Sequence, residues 1–437
     1  MSLTTPSKIR DLQIKLYRKA KNEPGYRFYL LYDKVYREDI LAHAYALVKA
    51  NKGAPGEDCQ SFAEIEKQGL TEWLNGIREE LRNKTYKPQA VRRVMIEKRG
   101  GGERPLGIPT IRDRVAQQAA KLVIEPVFEA DLEPNAYGYR PKRSAQDAIQ
   151  EVQKLLDAGY QDVVDADLSK YFDTIPHSEL MQCVARRIVD RDMLQLIKLW
   201  LTVPVAERDE QGERRIRGSQ GCGTPQGGVI SPLLANLYMN RFLKYWRITG
   251  QGEALQARVV NYADDFVILS RRYAAQALDW TRDVIQRIKL TLNETKTSIK
   301  QAREESFDFL GYTFGPLYSP RTGQKYLGAR PSQKSVTRIK QKVGDVLVPS
   351  NVAPWEEVRN QLNQILRGWR AYFSYGTRMP AYRAVDHYVY ERVRHFLRRR
   401  HQVSSQGTHH FPEGKVFGAL GVIRLQGADG RAFVSLR

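Results

Sequence analysis

The spacing of apolar positions divides the chain into helical and extended stretches. Residues 8–20 and 71–84 carry helical spacing, with Leu74, Ile77 and Leu81 on one face of the second. The stretch VRRVMIEKRGGGERPLGIPT (91–110) reads as strand, Gly-rich turn and strand. The segment after it, IRDRVAQQAAKLVIEPVF, is helical up to Pro126, where a break is expected. In DVVDADLS (162–169) an apolar run ends at a carboxylate, as at the tip of a buried strand. SPLLANLYMNRFLKYW (231–246) begins as a helix should, with Ser231 as N-cap and Pro232 at the first helical position. Residues 258–270 predict a strand–turn–strand hairpin whose turn carries Asp264 and Asp265.

The character changes after Tyr326. From Pro331 onward 18 Lys+Arg stand against 7 Asp+Glu, a net +11, in a mostly helical pattern such as ERVRHFLRRRH (391–401). A domain boundary is therefore expected near 325–330, with no low-complexity linker and no internal repeat.

Composition narrows the function classes. The 437 residues are 42% hydrophobic and 27% charged, enough for a folded protein of more than one domain. No run of 18 apolar residues is present, so no membrane helix is expected, and the polar, basic start reads as not secreted. Cys59, Cys183 and Cys222 are scattered without a CxxC pair, which argues against a disulfide framework or structural zinc. His409 and His410 read as loop histidines. Seventy Lys+Arg against forty-nine Asp+Glu give +21, the footprint of a protein that works against phosphate backbones. Charge alone still leaves ribosomal, membrane-surface and enzyme readings open.

The carboxylates sharpen the picture. Asp167 ends one apolar strand, while Asp264 and Asp265 sit between VVNY and FVILS. Such carboxylates repel one another unless paired, and a hard cation that shares substrate phosphates would pair them. A solvated turn explains a DD pair by itself; a second strand-end aspartate makes that reading weaker. Lys98 and Arg104 flank the glycines of EKRGGGER, a turn able to bring cations and backbone N–H groups to an anion.

Together these stretches resemble the reverse transcriptases encoded by group II introns. YADD, DADLSKYFD and GTPQGGVISPLLANLYMN (223–240) are similar to that family's palm motifs. NKGAPGEDCQSF (51–62) resembles its extra N-terminal motif, and RRVMIEKRGGGERPLGIPTIRDRVAQQA and NAYGYRPKRSAQDAI its fingers. LNETKTSIK and FDFLGYTF resemble later palm segments, and LRGWRAYFSYG (366–376) the maturase thumb. The likeness runs, in the family's order, from about residue 45 to about 400.

The resemblance implies an α+β right-hand polymerase. Residues 1–327 would form the fingers and the palm with its antiparallel sheet, preceded by an N-terminal extension. Residues 328–400 would form an α-helical thumb/maturase (X) domain, and 401–437 a short segment that is a candidate DNA-binding remnant. Many relatives carry an HNH endonuclease with two cysteine pairs; Cys222 is the last cysteine here, so that domain is not expected. The implied activity is RNA-directed DNA synthesis, with intron RNA bound as a splicing maturase and intron mobility (retrohoming) supported. A free-standing reverse transcriptase in defence or repair, and an RNA-binding maturase without polymerase activity, are the alternatives.

The implied catalytic and metal-binding residues are Asp167, Asp264 and Asp265, holding two Mg2+ ions for which Mn2+ could substitute. Lys98, Arg104, Phe172, Gln226 and Lys296 would bind the nucleotide, Phe172 as the aromatic gate that rejects a 2′-hydroxyl. Arg140, Arg367, Trp369, Arg398, Arg399 and Arg400 would contact nucleic acid, although a helix core containing Trp369 and Phe373 explains part of RGWRAYFSYG equally well. Partners would be intron RNA, target DNA and dNTPs, with no membrane. The implied location is the cytoplasm, nucleoid-associated in bacteria, or an organelle.

Overall fold

A computed structural model of the chain describes residues 3–97, 103–208, 214–319 and 321–427. Its strands, in chain order, are β1 (Val91–Glu97), β2 (Glu103–Ile108), β3 (Asp162–Asp167), β4 (Val205–Arg208), β5 (Arg214–Arg217), β6 (Ala257–Tyr262), β7 (Asp265–Ser270), β8 (Ser298–Gln301), β9 (Phe307–Phe309), β10 (Tyr312–Tyr318) and β11 (Lys325–Pro331). Helices fill most of the remainder, so the architecture is α+β, as the sequence implied. The chain divides into two compact units. One comprises Met1–Ser144, Ala166–Ile268 and Ala275–Ser298, and the other Ala145–Asp165, Leu269–Ala274 and Ile299–Arg437.

In the first unit β1 and β2 form an antiparallel hairpin with Val94 opposite Leu106, β4 joins β1 in parallel, and β5 closes the order β2-β1-β4-β5. The central element is the helix Ile111–Glu129, which packs against Ser7–Asn22 and Glu38–Ala50. It is buried over most of its length, with Val115, Ala119, Val123 and Val127 fully covered. The helix does not break at Pro126 as expected; it runs through it. A proline there cannot donate to the carbonyl four residues back. Gln13 Nε2 donates to that Leu122 carbonyl instead, at 3.0 Å, so the orphaned acceptor is satisfied from a neighbouring helix.

The strand that ends in Asp167 and those that flank Asp264 are neighbours in a sheet of order β6-β7-β3-β8. Residues of β6 and β7 are buried almost throughout, Phe266 to Leu269 completely. A strand covered on both faces reads as a continuous apolar run, which is why FVILS shows no alternation.

The second unit is built on a three-stranded sheet, order β11-β10-β9, and on the helices Gln333–Val346, Trp355–Tyr372 and Met379–Arg400. The helices enclose Val343, Leu362, Leu366, Val385, Val389 and Val393. Each fully buried side chain of this kind stabilises by roughly 1.5–3 kcal/mol. The boundary expected at 327/328 falls inside β11. Downstream of residue 400 the chain stays on this core through Phe411, Val416, Val422 and Leu425. Buried Asp386 accepts from the amides of Leu425 (2.7 Å) and Gln426 (3.0 Å). Asn363 accepts from Ile423 N and donates to the Gly421 carbonyl.

Among the described residues no helix is long and apolar enough to cross a membrane.

Candidate active site

A cleft of about 1000 Å3 opens in the first unit and is lined by Asp167, Asp264, Phe172, Gln226 and Lys296. Five residues from four separate stretches of the sequence therefore meet on one surface.

Asp167 ends β3, and its position is fixed by the segment 291–296. The Asn293 amide donates to the Asp167 carbonyl at 2.8 Å, and the Ser169 amide to the Thr291 carbonyl at 2.8 Å. Lys296 Nζ lies 3.1 Å from Asp167 Oδ2 and Asn293 Nδ2 3.3 Å from the same oxygen. The Lys296 side chain is two-thirds exposed, so the pair adds little stability. Its effect is to hold a cation and an amide on one carboxylate at the cleft floor.

Asp264 lies on the turn between β6 and β7, and Asp265 is the first residue of β7. The turn needs Ala263 at φ +60°, a conformation that costs a non-glycine residue about 1–2 kcal/mol. A polar bracket holds it there. Asn261 Nδ2 donates to the Ala263 carbonyl (2.9 Å), and the Tyr137 amide to the Asn261 carbonyl (2.8 Å). Gly138 packs so closely that a Cβ on it would stand 2.6 Å from the Ala263 nitrogen. Asn236 Nδ2 donates to the Gly138 carbonyl (2.6 Å), and Asn240 bridges the Glu133 amide and the Asp131 carbonyl.

Arg140 belongs to this bracket, which corrects its expected role as a nucleic-acid contact. It is buried, donates to the carbonyls of Glu133 (2.7 Å) and Ala136 (2.8 Å), and pairs with Glu129 at 2.7 Å. A buried guanidinium committed to two carbonyls and a carboxylate acts as a structural clamp. The sequence shows the cation but not which partner it takes.

Phe172 is buried with one surface on the cleft, on the short helix Tyr171–Thr174 entered through Lys170 at φ +48°. Its neighbour Tyr171 donates to the Ala235 carbonyl at 2.6 Å. Burial first, then the nearby Asp264 carboxylate, pushes the Tyr171 hydroxyl well above its usual range and keeps that proton in place. The Thr224 amide donates to the Phe172 carbonyl at 2.7 Å, tying the GTPQGG loop to this short helix.

Gln226 donates to Asp173 at 3.3 Å, and its carbonyl accepts from the Gly107 amide at 2.6 Å. Gly227, at φ +115°, lies against the Gly107 carbonyl, and a Cβ there would occupy the oxygen's space. Ser231 is not the N-cap; Ile230 takes that place, and the Ser231 hydroxyl donates to the Pro225 carbonyl at 2.8 Å. The loop's own amides at 229 and 230 are received by Gln117 Oε1 instead.

Lys98 lies outside the described residues, and Arg104 stands opposite Ile96 in the β1–β2 hairpin. In the second unit Arg367, Arg399 and Arg400 are exposed and Arg398 is half-buried. Trp369 differs from the expected stacking platform: it packs on the core, its ring centroid 4.9 Å from Phe373 and 5.7 Å from Tyr382.

Several cleft residues escaped the sequence reading. Arg93 and Arg217 line the cleft and share Glu207 between β1, β4 and β5. Asn293, the residue that orients Asp167, stands in NETKT with no distinguishing periodicity.

Among the described residues no three His, Cys, Asp or Glu side chains stand together as a ready metal cage. Asp167 and Asp264 do line the same cleft. Two carboxylates open to substrate suit Mg2+, which completes its shell with waters and phosphates rather than a full protein cage.

Comparison with known proteins agrees with this geometry. Residues 96–314 match the reverse transcriptase (RNA-dependent DNA polymerase) family and residues 336–411 the group II intron maturase-specific domain. Protein YkfC of Escherichia coli K12 is 36% identical over 341 residues, 70% of this chain and 87% of its own. The group II intron-encoded protein LtrA of Lactococcus lactis is 34% identical over 220 residues, half of this chain but 35% of its own length. A putative COX1/OXI3 intron 1 protein of Saccharomyces cerevisiae is 25% identical over 431 residues, 80% of this chain and half of its own. The chain belongs to the reverse transcriptase family, in the group II intron-encoded branch that joins the polymerase fold to a maturase-specific domain.

Proposed function

We propose that the cleft extends a primer 3′-hydroxyl with dNTPs on an RNA template, and that the second unit binds RNA as a splicing maturase. The observation that carries the polymerase half is the meeting of Asp167 and Asp264 with Phe172, Gln226 and Lys296 on one cleft. Asp167 and Asp264, which line the cleft, would hold Mg2+; Asp265, at the start of β7, is not on that lining. When bound, the metal supplies charge neutralisation of the triphosphate and a more acidic primer hydroxyl.

The remaining roles belong to side chains. Lys296 and Asn293 fix the orientation of the Asp167 carboxylate. Phe172, backed by Tyr171 and tied to Thr224, presents a wall that an added 2′-oxygen would meet. Gln226, held through its carbonyl and its amide, lines the site of the new base pair. Lys98 and Arg104 are assigned to the triphosphate. Arg367, Arg398, Arg399 and Arg400 are assigned to RNA, and action at a target DNA during intron mobility follows from the same basic surface.

Primer extension on an RNA template tests the proposal. Wild-type protein should make magnesium-dependent cDNA. No product under those conditions would sink the polymerase reading and leave the RNA-binding one.

A further inference from the structure

The second unit contains a cavity of about 460 Å3, and Arg399 and Arg400, assigned above to RNA only as surface cations, line it. One wall is a single face of the helix Met379–Arg400, where Arg392, His395, Phe396 and Arg399 follow at spacings of three, four and seven. The other wall is the segment from Leu347 to Val352, and Val352 is 86% exposed at its lip. Arg400 fastens the two walls, donating to the carbonyls of Val352 (3.2 Å) and Ala353 (2.8 Å).

The charges inside are unbalanced. No Asp or Glu is among the lining residues; Glu391, on the same helix, takes Arg394 as an ion pair and stands 3.7 Å from His395 Nε2. Arg392 donates from Nη2 to the Leu347 carbonyl at 3.4 Å, a long contact, and its buried Nε has no hydrogen-bond partner among the described residues. Two guanidiniums on one lining, Arg392 only weakly engaged and Arg399 exposed, with no carboxylate among the lining residues, call for an anion. Phe396 in the floor and Val352 at the lip call for a flat apolar face. A nucleotide offers both, and a cavity of this size takes one such group rather than a duplex.

We propose that this cavity receives one unpaired nucleotide of a bound RNA, its phosphate at Arg392 and Arg399 and its base between Val352 and Phe396. Extruded, unstacked nucleotides are what proteins read in folded RNA. All the lining residues also lie within the maturase-specific match, 336–411. The inference rests on the RNA-binding half of the function proposed above.

Fluorescence anisotropy of the full chain tests it, with a labelled RNA hairpin carrying one unpaired adenosine, the same hairpin without it, and an all-DNA copy of the first. Wild type should prefer the bulged RNA about tenfold over the other two. Arg392→Gln should reduce that preference to about twofold and flatten the salt dependence by about one phosphate. Arg399→Gln, at an exposed position, should do the same and guards against a folding defect at residue 392. Equal binding of bulged and perfect RNA, equal binding of the DNA copy, or full preference in both variants overturns the proposal. Tight but equal binding of the RNAs by a protein that makes cDNA removes the pocket and spares the function. Binding of none of the hairpins removes the RNA-binding reading itself.

Discussion

The turn that carries Asp264 and the helices that carry the arginine run are held in different ways. Around the turn the fixing groups are directional: Asn261 and Asn236 each donate to one carbonyl, Asn240 bridges two backbone groups, and Arg140 joins two carbonyls and a carboxylate, with Gly138 packed against Ala263. In the helical unit the core is mostly apolar, with Asp386 and Asn363 pinning only its last segment, and Arg367, Arg399 and Arg400 stand exposed outside it. Directional bonds place a carboxylate to a fraction of an ångström, as phosphoryl transfer needs. A hydrophobic core places a helix but leaves its long cationic side chains free to adapt to an irregular polyanion.

The largest effect expected from this contrast is catalytic. Asp264→Ala should lower cDNA synthesis by about 10^3-fold or more, while filter retention of RNA by the helical unit stays unchanged. A variant that kept polymerising would remove Asp264 from the proposed chemistry. Next comes Arg140→Met, which leaves Glu129 and two carbonyls without their buried donor. It should destabilise the protein by about 3–5 kcal/mol in denaturant unfolding. Unchanged stability with weaker RNA binding would restore Arg140 to the nucleic-acid surface and blur the contrast. In the helical unit, Leu366→Ala should cost about 2–5 kcal/mol while the adjacent Arg367→Gln stays within about 0.5 kcal/mol. Arg367→Gln should instead weaken RNA binding and reduce its salt slope by about one.

The same contrast decides what could be read from the sequence. Strands that end in Asp167 and Asp264 were legible because burial leaves a run of apolar residues and the chemistry needs a charge at its tip. The helical unit was legible because its apolar face repeats at helical spacing. The polar bracket was not. Asn236, Asn240 and Asn261 act through bonds to segments about a hundred residues away or across a turn, and no local period marks such a partner. Arg140 and Arg399 look alike in sequence, yet one is a buried clamp and the other a solvent-facing cation. Trp369 misled for the same reason: an aromatic among arginines suits RNA stacking and core packing equally until the helix has a neighbour.

Pro126 gives the smallest and most exact version of this test, away from the cleft. The reading that a proline ends a helix assumes that the carbonyl it orphans stays orphaned. Here Gln13 supplies the missing donor to Leu122 from another helix. Gln13→Ala should therefore cost about 1 kcal/mol, because a part-buried carbonyl loses the N–H that Gln13 supplies. Pro126→Ala returns a backbone amide that can reach the same carbonyl. In that background Gln13→Ala should cost only a few tenths of a kcal/mol. A double-mutant cycle in denaturant unfolding reads the difference directly. Equal costs in both backgrounds would mean that Gln13 acts by packing alone, and that the long-range polar bond is not what carries the helix through its proline.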